Sequence, residues 1–349
     1  MKPFFLFISL LVVMSESFSQ CASAWVNGIG APPSGASAQS RVSLQYSNGQ
    51  IYCSSKLVGG DSLVSGNVEL NCDPNTELVN HVYLWVVDTI GNTQWISSVG
   101  TSSLTPAENA MVVDELGNAY LTVAFYTDLH FADTVLSTTN GNCMIAKYNA
   151  EGDRLWVKQF EGQVVPRMTW CNGNLVFALA YQNQISFSGT NYTSDGALDF
   201  LVVWMNISGG VEQVKEIKGI GESTVYDISC IGQNLLIQGR FNEVLEYSGN
   251  TMGTLGEGQY RSYQLFLNPS EDVLWHKQSS LHVSGNLIQE SSIKSGNQII
   301  SVGQYGVPNV SFDNLTITYF GGVDGYVCSQ NIGDGSFNWL KGFGSDGND

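Results

Sequence analysis

Basic side chains are scarce in this 349-residue chain: 14 lysines and arginines stand against 31 aspartates and glutamates, a formal charge of −17. A surface of that sign repels phosphate backbones and anionic lipid headgroups, so nucleic acid is set aside as a partner. Histidine is rarer still, and His81, His130, His276 and His282 are scattered. With no C-x-x-C pair, the chain offers no zinc-ligand spacing. Proline is held to 8 residues while glycine reaches 38, the balance expected of many short strands joined by glycine turns. Beyond the N-terminus no segment approaches the roughly eighteen apolar residues of a membrane helix. No apolar stripe recurs at helical spacing, which excludes helical repeats. Catalytic signatures are missing too: no G-x-S-x-G elbow, no H-E-x-x-H and no phosphate loop of the form G-x-x-x-x-G-K-[ST].

What is present begins with a leader. Lys2 precedes an apolar run from Phe4 to Met14, and Ser17-Phe18-Ser19 supplies small residues before Gln20. This pattern reads as a secretory signal peptide over residues 1–19, with the remainder, 20–349, secreted or held at the cell surface. Gln20 stands where a lipoprotein signal would place a small side chain before Cys21, which argues against lipid modification. The seven cysteines, at 21, 53, 72, 143, 171, 230 and 328, form no compact framework. Most are expected as small buried hydrophobes, with Cys53 and Cys72 the best candidate pair.

The stretch Cys143 to Phe160, CMIAKYNAEGDRLWVKQF, recurs in weaker copies. Trp95 follows DTIGNTQ, Trp156 follows NAEGDRL, Trp275 follows PSEDVL and Trp339 follows IGDGSFN, at intervals near sixty or twice sixty. Gln213 stands midway in the long interval, where one copy lacks its tryptophan, and Trp25 in AWVNGIG marks the start of the first unit. A second piece, strand then Gly/Asn turn then strand, falls inside each unit, as in MVVDELGNAYLTVAFY and YDISCIGQNLLIQGRF. The units run at about 25–94, 95–155, 156–212, 213–274 and 275–338, with a partial 339–349. Each holds about four antiparallel strands. Repetition at this period predicts an all-β chain, a β-propeller of about five four-stranded blades, because radial packing buries both faces of each small sheet. The alternative is a string of small β-sandwich domains, for which the units are short and the linkers absent.

The order DELGNAY (114–120), AFY (124–126) and MIAKYNAEGDRLW (144–156) resembles the secreted bacterial β-propeller repeat. The match is close over residues 112–160 and weaker elsewhere. Gln238-Gly239-Arg240-Phe241 and Val302-Gly303-Gln304-Tyr305 keep its strand-end piece, and Asp199 and Asp324 stand where it has an aspartate-led strand. Gln213 in place of tryptophan and the poorly matching first unit depart from it. The resemblance implies a propeller in which a C-terminal sorting domain often follows. Because the WLKGFGSDGND tail repeats the opening of a unit, it is expected either to continue into further sequence or to complete the first blade.

Candidate chemistry is thin. Trp156 with Lys158, Trp275 with Lys277 and Trp339 with Lys341 place two side chains on one strand face, as Gln213 does with Lys215. A repeated ligand site is one meaning; a tryptophan plug between blades, with the lysine stem over it, is the favoured one. Asp128, His130 and Asp133 form the one local group of metal-ligand types, in a stretch read as a solvated loop. Glu151 and Asp153 lie in a turn, and paired acids for glycoside cleavage would have to come from different blades. Quinoprotein dehydrogenase propellers share the turn followed by tryptophan, but their adjacent cysteines have no counterpart here. No catalytic, cofactor or metal residue is therefore assigned, and Trp95, Trp156, Trp275 and Trp339 are the structural repeat positions. The expected role is a monomeric, non-catalytic scaffold or binding module for an extracellular protein or glycan. The rival is an extracellular polysaccharide hydrolase or lyase.

Overall fold

Four strands laid side by side in chain order, then a crossing to the next four, is the pattern from Ser43 to Phe343. It comes from a computed structural model of the chain that describes residues 37–38, 43–58, 62–65, 68–71, 80–101, 109–138, 142–161, 167–196, 198–253, 259–270, 272–280, 287–306, 308 and 310–346. The leader, Trp25, Cys21, Cys72 and His282 lie outside them. The described chain is all-β and antiparallel, and within it no helix is long and apolar enough to cross a membrane.

Five units, I to V, each contribute strands a to d. Unit I comprises Ser43–Ser47, Gln50–Val58, Asn80–Asp88 and Thr93–Thr101; unit II comprises Asn109–Val113, Ala119–Phe125, Asn142–Tyr148 and Arg154–Glu161. Unit III comprises Met168–Cys171, Asn174–Tyr181, Asp199–Met205 and Val211–Gly219, and unit IV Ser223–Ile231, Asn234–Asn242, Tyr260–Leu267 and Val273–Gln278. Unit V comprises Leu287–Ser295, Gln298–Tyr305, Asp324–Asn331 and Phe337–Phe343. Each tryptophan strand closes the sheet before it, so the sheets divide between strand d and the next strand a. The sequence periods, counted from the tryptophans, divide the same repeat one strand earlier.

The repetition reaches fine detail. Every unit has a bulge near the end of strand c, at Val86/Val87, Lys147/Tyr148, Trp204/Met205, Phe266/Leu267 and Ser329/Gln330. An Asp or Asn then closes the c–d turn through its side-chain oxygen. Asp88 accepts from Asn92 N at 2.8 Å, Asn149 from Asp153 N at 2.7 Å, Asn206 from Gly210 N at 2.9 Å, Asn268 from Asp272 N at 2.9 Å and Asn331 from Gly333 N at 2.7 Å. Such local bonds give the backbone partners that a tight turn takes away from the ladder.

Between strands b and c each of units II to V inserts a short hairpin that reaches back to the preceding sheet. In unit II it is Leu129–His130 with Val135–Leu136, and Leu129 pairs with Thr101 of strand Id. In unit IV, Val244–Tyr247 with Asn250–Gly253 pairs onto strand IIId. The unit III hairpin stacks Phe187 on Phe160 of strand IId at 5.6 Å, and the unit V hairpin holds Lys277 of strand IVd through Asp313 at 3.1 Å. The lone tail edge of each of these sheets is thereby covered.

The core lies between sheets. Tyr52, Leu84 and Val86 of unit I meet Met111, Leu121 and Met144 of unit II. Tyr120 and Ile145 meet Phe177, Leu179 and Leu201 of unit III, and Val176 and Val202 meet Ile228, Ile237 and Leu265 of unit IV. The joint between IV and V differs: Leu236, Phe266 and Trp275 touch Ile299, but beside them runs a buried polar seam. Gln264 and Gln330 exchange amide bonds of 3.0 and 2.6 Å, and Ser292 donates to Gln238 at 2.9 Å and lies 2.7 Å from Ser301.

A row of four side chains across each of sheets I to IV faces the next unit, and an indole sits in that row. Trp95 Nε1 donates to Ala150 O of unit II at 2.9 Å, and Trp275 Nε1 donates to Ile332 O of unit V at 2.8 Å. Both carbonyls follow the turn Asn. Below each ring is a glycine in the left-handed region, Gly152 at φ +94 and Gly335 at φ +68, where a Cβ would come within 2.8 and 2.6 Å of the ring. Only glycine leaves that space and adopts that φ without penalty. For the indole of unit II the equivalent carbonyl, Ile207 O of unit III, is taken at 3.1 Å by Lys147, the cross-strand partner of Trp156, and the indole nitrogen of Trp156 is buried without a partner. In unit III the cross-strand partner of Gln213 is Trp204, which packs on the III/IV core. The indole missing from strand d is supplied by strand c.

The disulfide differs from the expected pair. Cys171 and Cys230 are bonded, joining the ends of strands IIIa and IVa, with Cα atoms 5.4 Å apart. Cys53 is a free buried thiol, and Cys72 lies outside the described residues. The two bonded residues stand one register step apart in consecutive units, Cys171 opposite Asn174 at its a–b turn and Cys230 opposite Leu235, 59 apart in sequence, and packing of neighbouring strands a brings them together.

Candidate functional site

Strand IVa carries a bulge between Val225 and Asp227, leaving Tyr226 as the extra residue; bulges re-aim side chains and gather at functional sites. Around it lie Arg167, Glu222, Asp227, Arg240 and Tyr260, most of them half-buried. Arg240 Nη2 donates to Glu222 Oε1 at 3.0 Å, and the Tyr260 hydroxyl donates to Glu222 Oε2 at 2.8 Å. The Arg240 guanidinium lies 4.7 Å from the Tyr260 ring centre and 5.9 Å from that of Tyr226. Arg167 Nε donates to the Tyr226 carbonyl. Next to Tyr260 in sequence, Arg261 donates to Ser279 O at 3.1 Å. Three arginines in a chain with only 14 basic residues thus fall on one end of units III and IV.

Asp227 is the acid of this group. It pairs across the ladder with Gln238 and accepts from the Ser229 hydroxyl at 2.6 Å. Its side chain keeps a narrow contact with solvent although protein atoms crowd it from all sides. That crowding raises its carboxyl to about 6, against the opposing pull of the Ser229 bond and the Arg167 charge. Desolvation disfavours the charged carboxylate, which is the sign of the shift. Two donors on the same face are left without acceptors: Gln238 Nε2 and Arg240 Nε are both buried and unpartnered. Unsatisfied buried donors are uncommon and each costs about 1–3 kcal/mol. Together the group offers two aromatic rings and the Asp227 carboxyl beside the Arg240–Glu222 pair, with Gln238 buried against unit V.

None of these residues except Arg240, within the strand-end piece Gln238–Phe241, stood out in the sequence. The signal was there: an arginine at the variable position of Gly-x-Phe, with a second arginine twenty-one residues on in a chain poor in basic groups. The residues that did stand out go elsewhere. Trp95, Trp156, Trp275 and Trp339 are distributed one to a unit along strands d and are not brought together. Asp133 is held through both carboxylate oxygens by Arg154 at 2.6 Å, with its carboxyl lowered by that bond, and the Arg154 guanidinium lies 4.5 Å from the Phe131 ring centre. His130 belongs to the unit II hairpin strand and Asp128 is exposed beside it. Among the described residues no group of three or more His, Cys, Asp or Glu could hold a metal ion. Lys277 is engaged by Asp313. Asp199, at the start of strand IIIc, is buried and accepts from Gly219 N at 2.7 Å and Asp195 N at 3.0 Å.

Comparison with known proteins adds little. No protein-family model matches the chain, and no curated protein matches it. A solved structure described as a protein of unknown function from Bacteroides caccae aligns over 85% of this chain and 94% of its own. At 11% identity and a TM-score of 0.38, that likeness carries no argument about this chain, whose all-β architecture rests on its own strand pairing.

Proposed function

We propose that the chain is a secreted or surface-exposed, non-catalytic β-propeller whose unit IV binds glycan. The observation that carries the binding role is the Tyr226–Arg240–Tyr260 stack beside Glu222 and Asp227. Sugars present an apolar C–H face to aromatic rings and hydroxyls that both donate and accept, and this group supplies partners of each kind. Five successive four-stranded meanders, with core on both faces of sheets II to IV, support radial blades over separate sandwiches, since none of those three sheets has a core to itself. The Cys171–Cys230 bond supports an oxidising destination. The charge of −17 disfavours nucleic acid and anionic membrane surfaces.

A glycan panel screened for both retention and product release tests this. Retention without turnover is the expected result, with Tyr226→Ala and Tyr260→Ala each weakening it about tenfold, the worth of one stacked ring at 1.4 kcal/mol. Release of shortened products would favour the polysaccharide hydrolase instead. One feature speaks for that second role: a carboxyl raised to about 6 is protonated often enough near neutrality to serve as a general acid. Against it, Glu222 is committed to Arg240 and Tyr260.

A further inference from the structure

We infer that the outward face of unit V is a docking surface, and that its occupant is a further four-stranded unit of this same repeat. The face is defined by register. Ile293, Ile300, Ser329 and Trp339 form one row across the sheet, and Ser291, Val302, Val327 and Lys341 the next. Phe343 follows two residues after Lys341, on the same side.

These rows have counterparts in unit IV: Ser229, Leu236, Phe266 and Trp275, then Asp227, Gln238, Gln264 and Lys277. There, unit V covers them. Leu236, Phe266, Gln238 and Gln264 are 0% exposed and Trp275 is 8% exposed. In unit V, Ile293 is 50%, Val302 44%, Trp339 37% and Phe343 59% exposed, and of the two rows only Ser329, in the place of Phe266, is fully buried. Apolar residues in a row that is buried at the preceding joint, exposed together on one sheet face, mark an interaction surface.

The repeat also states the chemistry of the occupant. Trp95 and Trp275 each end on a backbone carbonyl that follows a turn Asn, over a glycine of positive φ. Trp339 occupies the equivalent place, so the occupant's c–d turn presents such a carbonyl and such a glycine. Lys277 is met by Asp313 on the next unit's hairpin; Lys341 is exposed at the matching position, so the occupant's hairpin carries an acid. A flat apolar ligand or an unrelated protein would satisfy the apolar row alone. A repeat unit satisfies the row, the indole and the lysine together.

Photo-crosslinking tests this in the protein as its own cells make it. A benzophenone side chain is placed at 343, and separately at 302, and the adducts are mapped by mass spectrometry. Adducts to the c–d turn or strands a–c of a repeat unit other than I–V are expected, with Trp339 shielded from acrylamide to the level of Trp275. Adducts to unit I of the same chain would mean that five units close on themselves. Adducts to the same face of a second copy, with a dimer mass by light scattering, would mean self-association. No adduct, with Trp339 fully quenched, would mean an open face. Each of those three outcomes overturns the proposal.

Discussion

Asp227 carries the clearest energetic consequence of any single side chain. Its carboxyl rises from 3.8 to about 6 on folding, so between those values the folded chain holds a proton that the unfolded chain has released. Stability from this group is therefore favoured at low pH and declines as pH rises to about 6, by at most about 3 kcal/mol. Asp227→Asn should flatten that dependence and raise the neutral-pH denaturation midpoint; denaturant titrations at pH 4 and pH 7 would show it, and an unchanged pH slope would refute it. Glycine supplies a second contrast. Gly152→Ala meets both φ +94 and the Trp95 ring, whereas Gly173→Ala at φ +78 meets nothing within 4 Å. The second change should cost about 1 kcal/mol for backbone strain alone, and the first appreciably more. Equal losses for the two variants, read from the same titration, would mean that the indole yields at no cost.

At the scale of strands, the c–d turns and the tryptophan strands were legible because each repeats a local rule. An Asx residue closes the turn in every unit, a glycine follows in all but unit IV, and an aromatic opens the next strand in all but unit III. Strand assignment followed from those signals with no knowledge of neighbours. The parts that were not legible depend on strands distant in sequence. Gln213 looked like a lost tryptophan, yet Trp204 sits across the ladder from it, so the conserved feature is a place in a row and not a place in a strand. The Cys171–Cys230 bond was hidden for the same reason: it requires that consecutive strands a lie side by side, which spacing alone does not say. Tyr226 owes its position to a bulge, and bulges leave little trace in alternation. The bond itself gives a prediction. Closing 59 residues of chain is worth about 4 kcal/mol in the chain-entropy account. Cys171→Ser with Cys230→Ser, or reduction of the native chain, should lower the thermal midpoint by several degrees, and an unaltered midpoint would show that packing alone holds units III and IV.

Across the whole molecule the joints are unequal. Units I to IV meet through layers of Leu, Val, Ile and aromatic rings, whereas IV and V meet through a smaller apolar cluster beside a buried seam of glutamine and serine. Apolar burial contributes about 25 cal/mol per Å², while a net hydrogen bond contributes roughly 1 kcal/mol and depends on keeping its geometry. The IV/V seam is therefore the joint most dependent on exact placement, and it adjoins the candidate glycan site through Gln238 and Asp227. Binding at that site is placed to sense how unit V is held.

The Cys171–Cys230 bond also has a mechanical meaning. Were the chain drawn out by force, the 59-residue interval between the two sulfurs could not lengthen. At about 3.5 Å per extended residue, roughly 200 Å of contour stays locked while the bond is intact. Reduction would release that slack, so a tethered molecule would respond to a pull according to the redox state of its surroundings.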